Sequence, residues 1–188
     1  MVLPIYLYGS DILRERAKEV DLSQNGLKEE MKILVDNMFE TLSKADGVGL
    51  AAPQIGKSIR VLIVDGSLMG DDSPELVDFK RAMINPVLLE ESKETIEFSE
   101  GCLSIPDIHA SVARPKKIKV AYYDTDFVKH EECFDDFACR MVQHEMSHLD
   151  GVLFTDLIAP IRKKMVQGRL NNIKAGKVKT FYKAALHK

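Results

Sequence analysis

The stretch that decides the reading of this chain is Gln143-His144-Glu145-Met146-Ser147-His148-Leu149-Asp150-Gly151. On an α-helix, positions four apart differ by about 40° in azimuth and about 6 Å along the axis, so His144 and His148 project side by side from one face. Two imidazoles at that spacing have the bite to hold one divalent metal. Glu145 sits beside the first of them, able to take a proton from a water in an open coordination position without being a ligand itself. Two neutral nitrogen donors, an open position and a proton-shuttling carboxylate are the parts of a metal-dependent hydrolase. The plainer alternative is a helix that happens to carry these residues.

Length and composition fit one enzyme-sized domain over residues 1–188: 188 residues, 45% hydrophobic and 29% charged, are enough for one core and short for two. The first residues, Met1-Val-Leu-Pro-Ile-Tyr-Leu-Tyr-Gly9, lack the charged head and long apolar run of a signal peptide. No stretch approaches the roughly 20 apolar residues of a membrane span. Cys102, Cys133 and Cys139 are too few and odd for a disulfide framework, which predicts a reducing compartment, the cytoplasm. From Arg162 to Lys188 there are nine Lys or Arg and no acid, while the whole chain is at −3, so residues 1–161 carry −12. Such a basic tail, about 162–188, is either solvated or meets a polyanionic partner such as an RNA-rich surface.

Working outward, Leu27, Met31, Leu34, Met38 and Leu42 recur at steps of three and four and predict a helix from about Gly26 to Lys44. Asp11 to Val20 reads as a turn or helical turn. Gly47-Val48-Gly49-Leu50-Ala51-Ala52-Pro53-Gln54 has no third glycine or Gly-Lys, which argues against a nucleotide loop; taken alone it reads as a plain structural turn, or as a tight loop presenting the Gln54 amide. Strands are predicted at Arg60–Asp65, Ala82–Glu90, Glu94–Ser99 and Ile118–Asp124, with Asn85-Pro86 at an edge or bulge and an exposed loop over Gly66–Asp78. The histidine helix should begin near Phe137. Val152–Leu157 reads as a last strand, and Pro160–Lys174 as a basic amphipathic helix with Ile161, Met165 and Ile173 inward. The fold class expected is α+β, antiparallel strands around a central His-Glu-x-x-His helix with an N-terminal and a C-terminal helix.

Two histidines do not close a metal site. Cys102, in Glu100-Gly101-Cys102-Leu103-Ser104, is the candidate third donor, because a strand end next to glycine can bring a thiolate against a facing helix. Cys139 lies about 140° round the helix from His144 and should point away. Cys133 is expected to be a small buried hydrophobe, and His109, His130 and His187 surface or locally bonded residues.

The three stretches Gly47–Gln54, Glu100–Ser104 and Gln143–His148 resemble, in order, the motifs of the peptide deformylases. The resemblance implies that Cys102, His144 and His148 hold one divalent metal, Fe(II) in many members, with Zn, Ni or Co as alternatives. It implies Glu145 as general base and then acid, with Gln54 and the Leu103 N–H donating to the oxyanion. It implies a substrate, the formyl-methionine end of a nascent bacterial or organellar polypeptide, and formate as a product. By the same analogy Phe98, Arg114 and Met141 surround the methionine side chain, while Val48, Gly49 and Gly101 pair with the peptide backbone. Ser147 departs from the aspartate the family usually has before the second histidine, which touches a buried ion-pair contact, with Arg140 as the expected partner. Activity should survive it. Two rival readings remain at this point: a metallopeptidase, since His-Glu-x-x-His does not distinguish amides, and a non-catalytic metal-binding or ribosome-associated module.

Overall fold

A computed structural model describes residues 1–67, 69 and 74–186. It is a mixed helix-and-sheet structure. The elements run β1 (Ile5–Tyr6), α1 (Leu27–Lys44), β2 (Gly49–Ala51), β3 (Val61–Asp65), β4 (Lys80–Glu91), β5 (Thr95–Cys102), β6 (Ile105–Pro115), β7 (Lys117–Tyr123), β8 (Lys129–Asp135), α2 (Asp136–Leu149), α3 (Phe154–Leu157), α4 (Pro160–Lys174) and β9 (Ala184–Ala185). Five strands form one antiparallel sheet in the order β2-β3-β4-β7-β8, and β5 and β6 form a separate antiparallel hairpin. The two chain ends meet in a parallel pair, β1 with β9, which the expectation of antiparallel strands did not include.

The unbroken apolar run of β3 is explained by burial on both faces. Val61 and Ile63 join the cluster under α1, with Leu34, Met38 and Leu42, whereas Leu62 and Val64 join the cluster that includes Val142 and Leu149 of α2. Alternate side chains of one strand therefore bind the two helices to opposite faces of the sheet. Asn85 takes a positive φ at a break in the β4–β7 register, the expected bulge, and its side chain exchanges two 2.8 Å bonds with the Val20 backbone. α2 ends where Gly151 enters the left-handed region at φ 72°. A Cβ there would lie 2.5 Å from the Arg14 carbonyl, so the turn that places the following chain requires glycine.

Several expectations are corrected. Val152–Leu157 is no strand: Phe154–Leu157 is a single helical turn, with the Asp156 carboxylate accepting from the Leu153 N–H at 3.0 Å. α4 turns Val166, Leu170 and Ile173 inward, leaving Ile161 and Met165 67% and 76% exposed. Cys133 is exposed, whereas Cys139 is buried and bonded to Gln143 and Pro115, facing away from the site as expected. In the stretch Gly66–Asp78, Leu76 is buried while Glu75 and Val77 are exposed; residues 68 and 70–73, like His187, lie outside the described residues. No helix among the described residues is long and apolar enough to cross a membrane.

Candidate metal centre and its cleft

α2 presents His144 and His148 with ring centroids 5.1 Å apart, and the end of β5 brings Cys102 against them. The Cys102 Sγ lies 3.3 Å from His148 Nε2, and one donor atom from each of the three residues falls within 4.8 Å of the others. Donors at zinc-like bond lengths in a tetrahedron are spaced by about 3.5 Å, so a thiolate and two imidazoles at this spacing fit a single small divalent cation.

A buried charge network sets the register of helix and hairpin. Glu100, two residues before Cys102, accepts from Arg114 Nε at 2.7 Å and Nη2 at 3.0 Å, from Arg140 Nη1 at 2.6 Å, and pairs with His144 Nδ1 at 2.9 Å. Arg140 also donates to the carbonyls of Val112 and Ile96, which fastens α2 to both strands of the hairpin. Fixing Nδ1 of His144 leaves Nε2 to face Cys102, the orientation a metal-ligating imidazole needs. Burial alone would raise the Glu100 carboxyl; hydrogen bonds from His144 and Arg114 overcome it and hold the group well below the usual carboxylate range. For His144, burial pulls the pKa down, but bonds to Cys102 and Glu100 outweigh it and raise the group above its ordinary value. His148 is the opposite case: burial, then the neighbouring His144 charge, push it well below its ordinary value.

Glu145 is buried, and one of its oxygens, Oε2, has no hydrogen-bond partner among the described residues. Burial is the main cause that raises its pKa to about 7, opposed by His144 and assisted by Glu100. A carboxyl poised there can accept a proton and give it back near neutrality. The backbone of β2 passes so close that a Cβ on Gly49 would meet Glu145 Oε1 well inside contact distance. Gln54 is buried too: its Oε1 accepts from the Ala51 N–H at 2.8 Å, which orients Nε2 toward Ser104 Oγ at 3.2 Å and Cys102 Sγ at 3.5 Å.

Gln54, Glu100, Cys102, Arg140, His144 and Glu145 line one cavity of about 430 Å³, together with Val48, Gly49, Gly101, Leu103 and Met141, while His148 is buried behind the lining. Phe98 and Arg114 do not line it, which corrects their placement around a substrate side chain. Phe98 stands one layer back, edge-on to Phe137 and under the Arg140 guanidinium. Arg114 is turned into the Glu100 network and donates to Ser147 Oγ at 2.9 Å. The residue facing Ser147 is thus Arg114, not Arg140. His109, expected at the surface, is exposed but borders the cavity, and His130 bonds Asp124 locally at 2.6 Å.

A family model, Polypeptide deformylase, matches residues 2–164. The chain belongs to that family. It is 39% identical over 190 residues to the peptide deformylase of Christiangramia forsetii, covering 97% of this chain and 95% of that one. With the Fusobacterium nucleatum peptide deformylase it shares 42% over 174 residues, 93% of this chain and 94% of the relative. Among solved structures, the Plasmodium falciparum deformylase superposes with a TM-score of 0.81 at 33% identity, covering 92% of this chain and 95% of that one. The Thermotoga maritima deformylase gives 0.74 at 40%, covering 85% and 99%. The activity that goes with membership is hydrolytic removal of the N-formyl group from nascent peptides. Sequence reasoning expected Arg140 in a buried ion pair, at Ser147, but missed Glu100 as the carboxylate that it and His144 share. The signal was available, since a histidine that holds a metal through one ring nitrogen needs a carboxylate or carbonyl on the other.

Proposed function

We propose that this cleft deformylates the initiator formyl-methionine with Glu145 as the proton carrier, Cys102, His144 and His148 as the metal ligands, and Gln54 and the Leu103 N–H as oxyanion donors. The observation that carries the reading is the convergence of Gln54, Cys102, Leu103, His144 and Glu145 on one cavity, with His148 buried behind them against the Cys102 thiol and one oxygen of Glu145 left without a partner among the described residues. A bound divalent cation supplies Lewis acidity, lowering the pKa of water and polarising the formyl oxygen. Thiolate and imidazole donors suit Fe(II), the metal we infer, and equally Zn, Ni or Co.

The chain's own groups do the rest. Glu145 takes the proton of the attacking water at Oε2 and later delivers it to the leaving nitrogen. Gln54 redirects the Nε2 hydrogen now on its longer bond, 3.5 Å to Cys102 Sγ, to the oxygen as charge develops there. The Leu103 N–H meets the same oxygen from the hairpin end. Met141, buried in the cavity wall, is the apolar contact for the methionine side chain. β2 ends the sheet order, and its first residue Gly49, the preceding Val48 and Gly101 of β5 line the same cleft, which supports binding of the peptide backbone as an added strand.

Formate release from a formyl-Met-peptide, beside cleavage of an unformylated peptide of the same length, tests the reading. Turnover of the first alone is expected; internal cleavage would establish the metallopeptidase reading instead. We further propose that residues 1–188 act as one cytoplasmic catalytic domain and that α4 contacts the ribosome. The nine cations from Arg162 onward and the exposed Ile161 and Met165 support this contact. Absent or salt-insensitive co-sedimentation with ribosomes would refute it.

A further inference from the structure

The two-residue turn that carries the proposed Leu103 donor is held from outside by both ends of the chain. Cys102 faces Ile105 at the end of the β5–β6 hairpin, so Leu103 and Ser104 make the turn itself. The Ser104 carbonyl accepts from the Tyr8 backbone N–H at 2.8 Å, and the Leu103 carbonyl accepts from the Tyr182 hydroxyl at 2.6 Å. Both holds belong to one assembly: Ile5 and Tyr6 pair with Ala184 and Ala185, and the Leu7 N–H donates to the Ala185 carbonyl at 3.0 Å. The returning segment also lines the cleft, through Lys179, Thr180, Phe181 and Tyr182. It lies beyond residue 164, where the family match ends.

We propose that Tyr182 is a positioning residue for deformylation, its hydroxyl locking the Leu103 turn so that the Leu103 N–H stays aimed at the developing oxyanion. The inference rests on the deformylase reading of the cleft and adds to it a group whose hydroxyl acts through the Leu103 backbone rather than on the reacting atoms. At a two-residue hairpin end the turn carbonyls lie beyond the ladder, and their peptide planes can rotate unless something else holds them. The Leu103 carbonyl belongs to the plane after its Cα and the N–H to the plane before, so clamping one leaves only the φ and ψ of this single residue between the clamp and the donor. An oxyanion donor is effective because it is oriented before charge develops.

The Tyr182 phenol is suited to that task. Burial holds it well above its usual pKa, with Cys102 and Asp107 acting in the same direction, so it remains a protonated donor at any working pH. Its own backbone is fixed, since the Thr180 hydroxyl donates to the Tyr182 carbonyl at 2.8 Å. Phe181 packs edge-on against the ring at 5.2 Å.

The test is Tyr182→Phe in the full metal-loaded chain, which keeps the ring and removes one hydrogen bond. The expected result is a fall in kcat of about ten-fold, a fraction of the 10² to 10³ lost when a donor is removed outright, with KM and bound metal unchanged. In the zinc-loaded protein, the Leu103 backbone order parameter should drop from about 0.85 toward 0.6. An unchanged kcat overturns the inference, and so does a loss of activity accompanied by loss of metal or a raised KM, which would mark a general structural role. If the wild-type chain released no formate, the deformylase reading would fail by itself. The order parameter would then still decide, since a Leu103 as rigid in Tyr182→Phe as in wild type overturns the positioning claim.

Discussion

Replacing Gly49 with alanine should disable the proton carrier without touching a metal ligand. A Cβ at this position would lie 2.8 Å from Glu145 Cγ and 2.9 Å from Cδ, and closer still to Oε1. β2 has little freedom to withdraw. Gly49 is paired with Val64, and the Val48 carbonyl accepts from the Asp65 N–H at 2.9 Å. Ordinary contact needs more than 3.4 Å, so the Glu145 carboxylate has to retreat by about 1 Å, and misplacement of a catalytic group on that scale costs about 10² in rate. General acid–base catalysis as a whole contributes about 10² to 10⁴, which bounds the loss. We therefore expect kcat for a formyl-Met-peptide to fall about 10²-fold with the metal retained. Because both changes act on the same carboxylate, Gly49→Ala should add little to Glu145→Ala. A Gly49→Ala enzyme that keeps its metal and turns over near the wild-type rate would refute the placement of Glu145 as proton carrier.

Other consequences can be checked separately. Ser147→Asp places a carboxylate against Arg114 in a network where two arginines share Glu100, and should keep activity while stabilising the fold by about 1 kcal/mol, or about 2 to 4 °C in Tm; a lower Tm contradicts it. Glu100→Gln leaves buried arginines without their carboxylate and should destabilise by about 3 to 5 kcal/mol, with metal affinity weakened about 10 to 100-fold as His144 loses its anchor. The Glu100 pKa is depressed in the folded state, so its stabilisation is complete above the unfolded value of about 4.3 and drains as pH falls below it. Denaturant titrations over this acid range should show that slope in wild type and a weaker one in Glu100→Gln; identical slopes would exclude Glu100 as its source.

What the sequence made legible was local. The stripe of Leu27, Met31, Leu34, Met38 and Leu42 gave α1, the Val61–Val64 run gave β3, and His144 and His148 at a spacing of four gave the face of α2. Three features escaped because the local pattern is weak or ambiguous there: β8, β6 and the inward face of α4. β8 is a charged edge strand in which Phe134 alone is buried, so no alternation advertises it. β6 alternates from Ile108 to Arg114, but Pro106 and the positive φ of Asp107 interrupt the pattern at its start. α4 carries two apolar stripes, and periodicity cannot say whether Ile161 and Met165 or Val166 and Leu170 face the core. In the site, motif residues were legible and their supports were not. Arg114 looked like a pocket residue because the sequence does not show that its guanidinium closes on Glu100. The basic tail looked solvated because nothing local reveals that β9 returns to β1.

The most direct test of the central claim is formate release from a formyl-Met-peptide by anaerobically purified protein, measured beside its metal content and beside Glu145→Ala. We expect one metal per chain in both proteins and release by wild type alone. Equal release by the two, or a folded wild-type chain that holds no metal, would contradict the account.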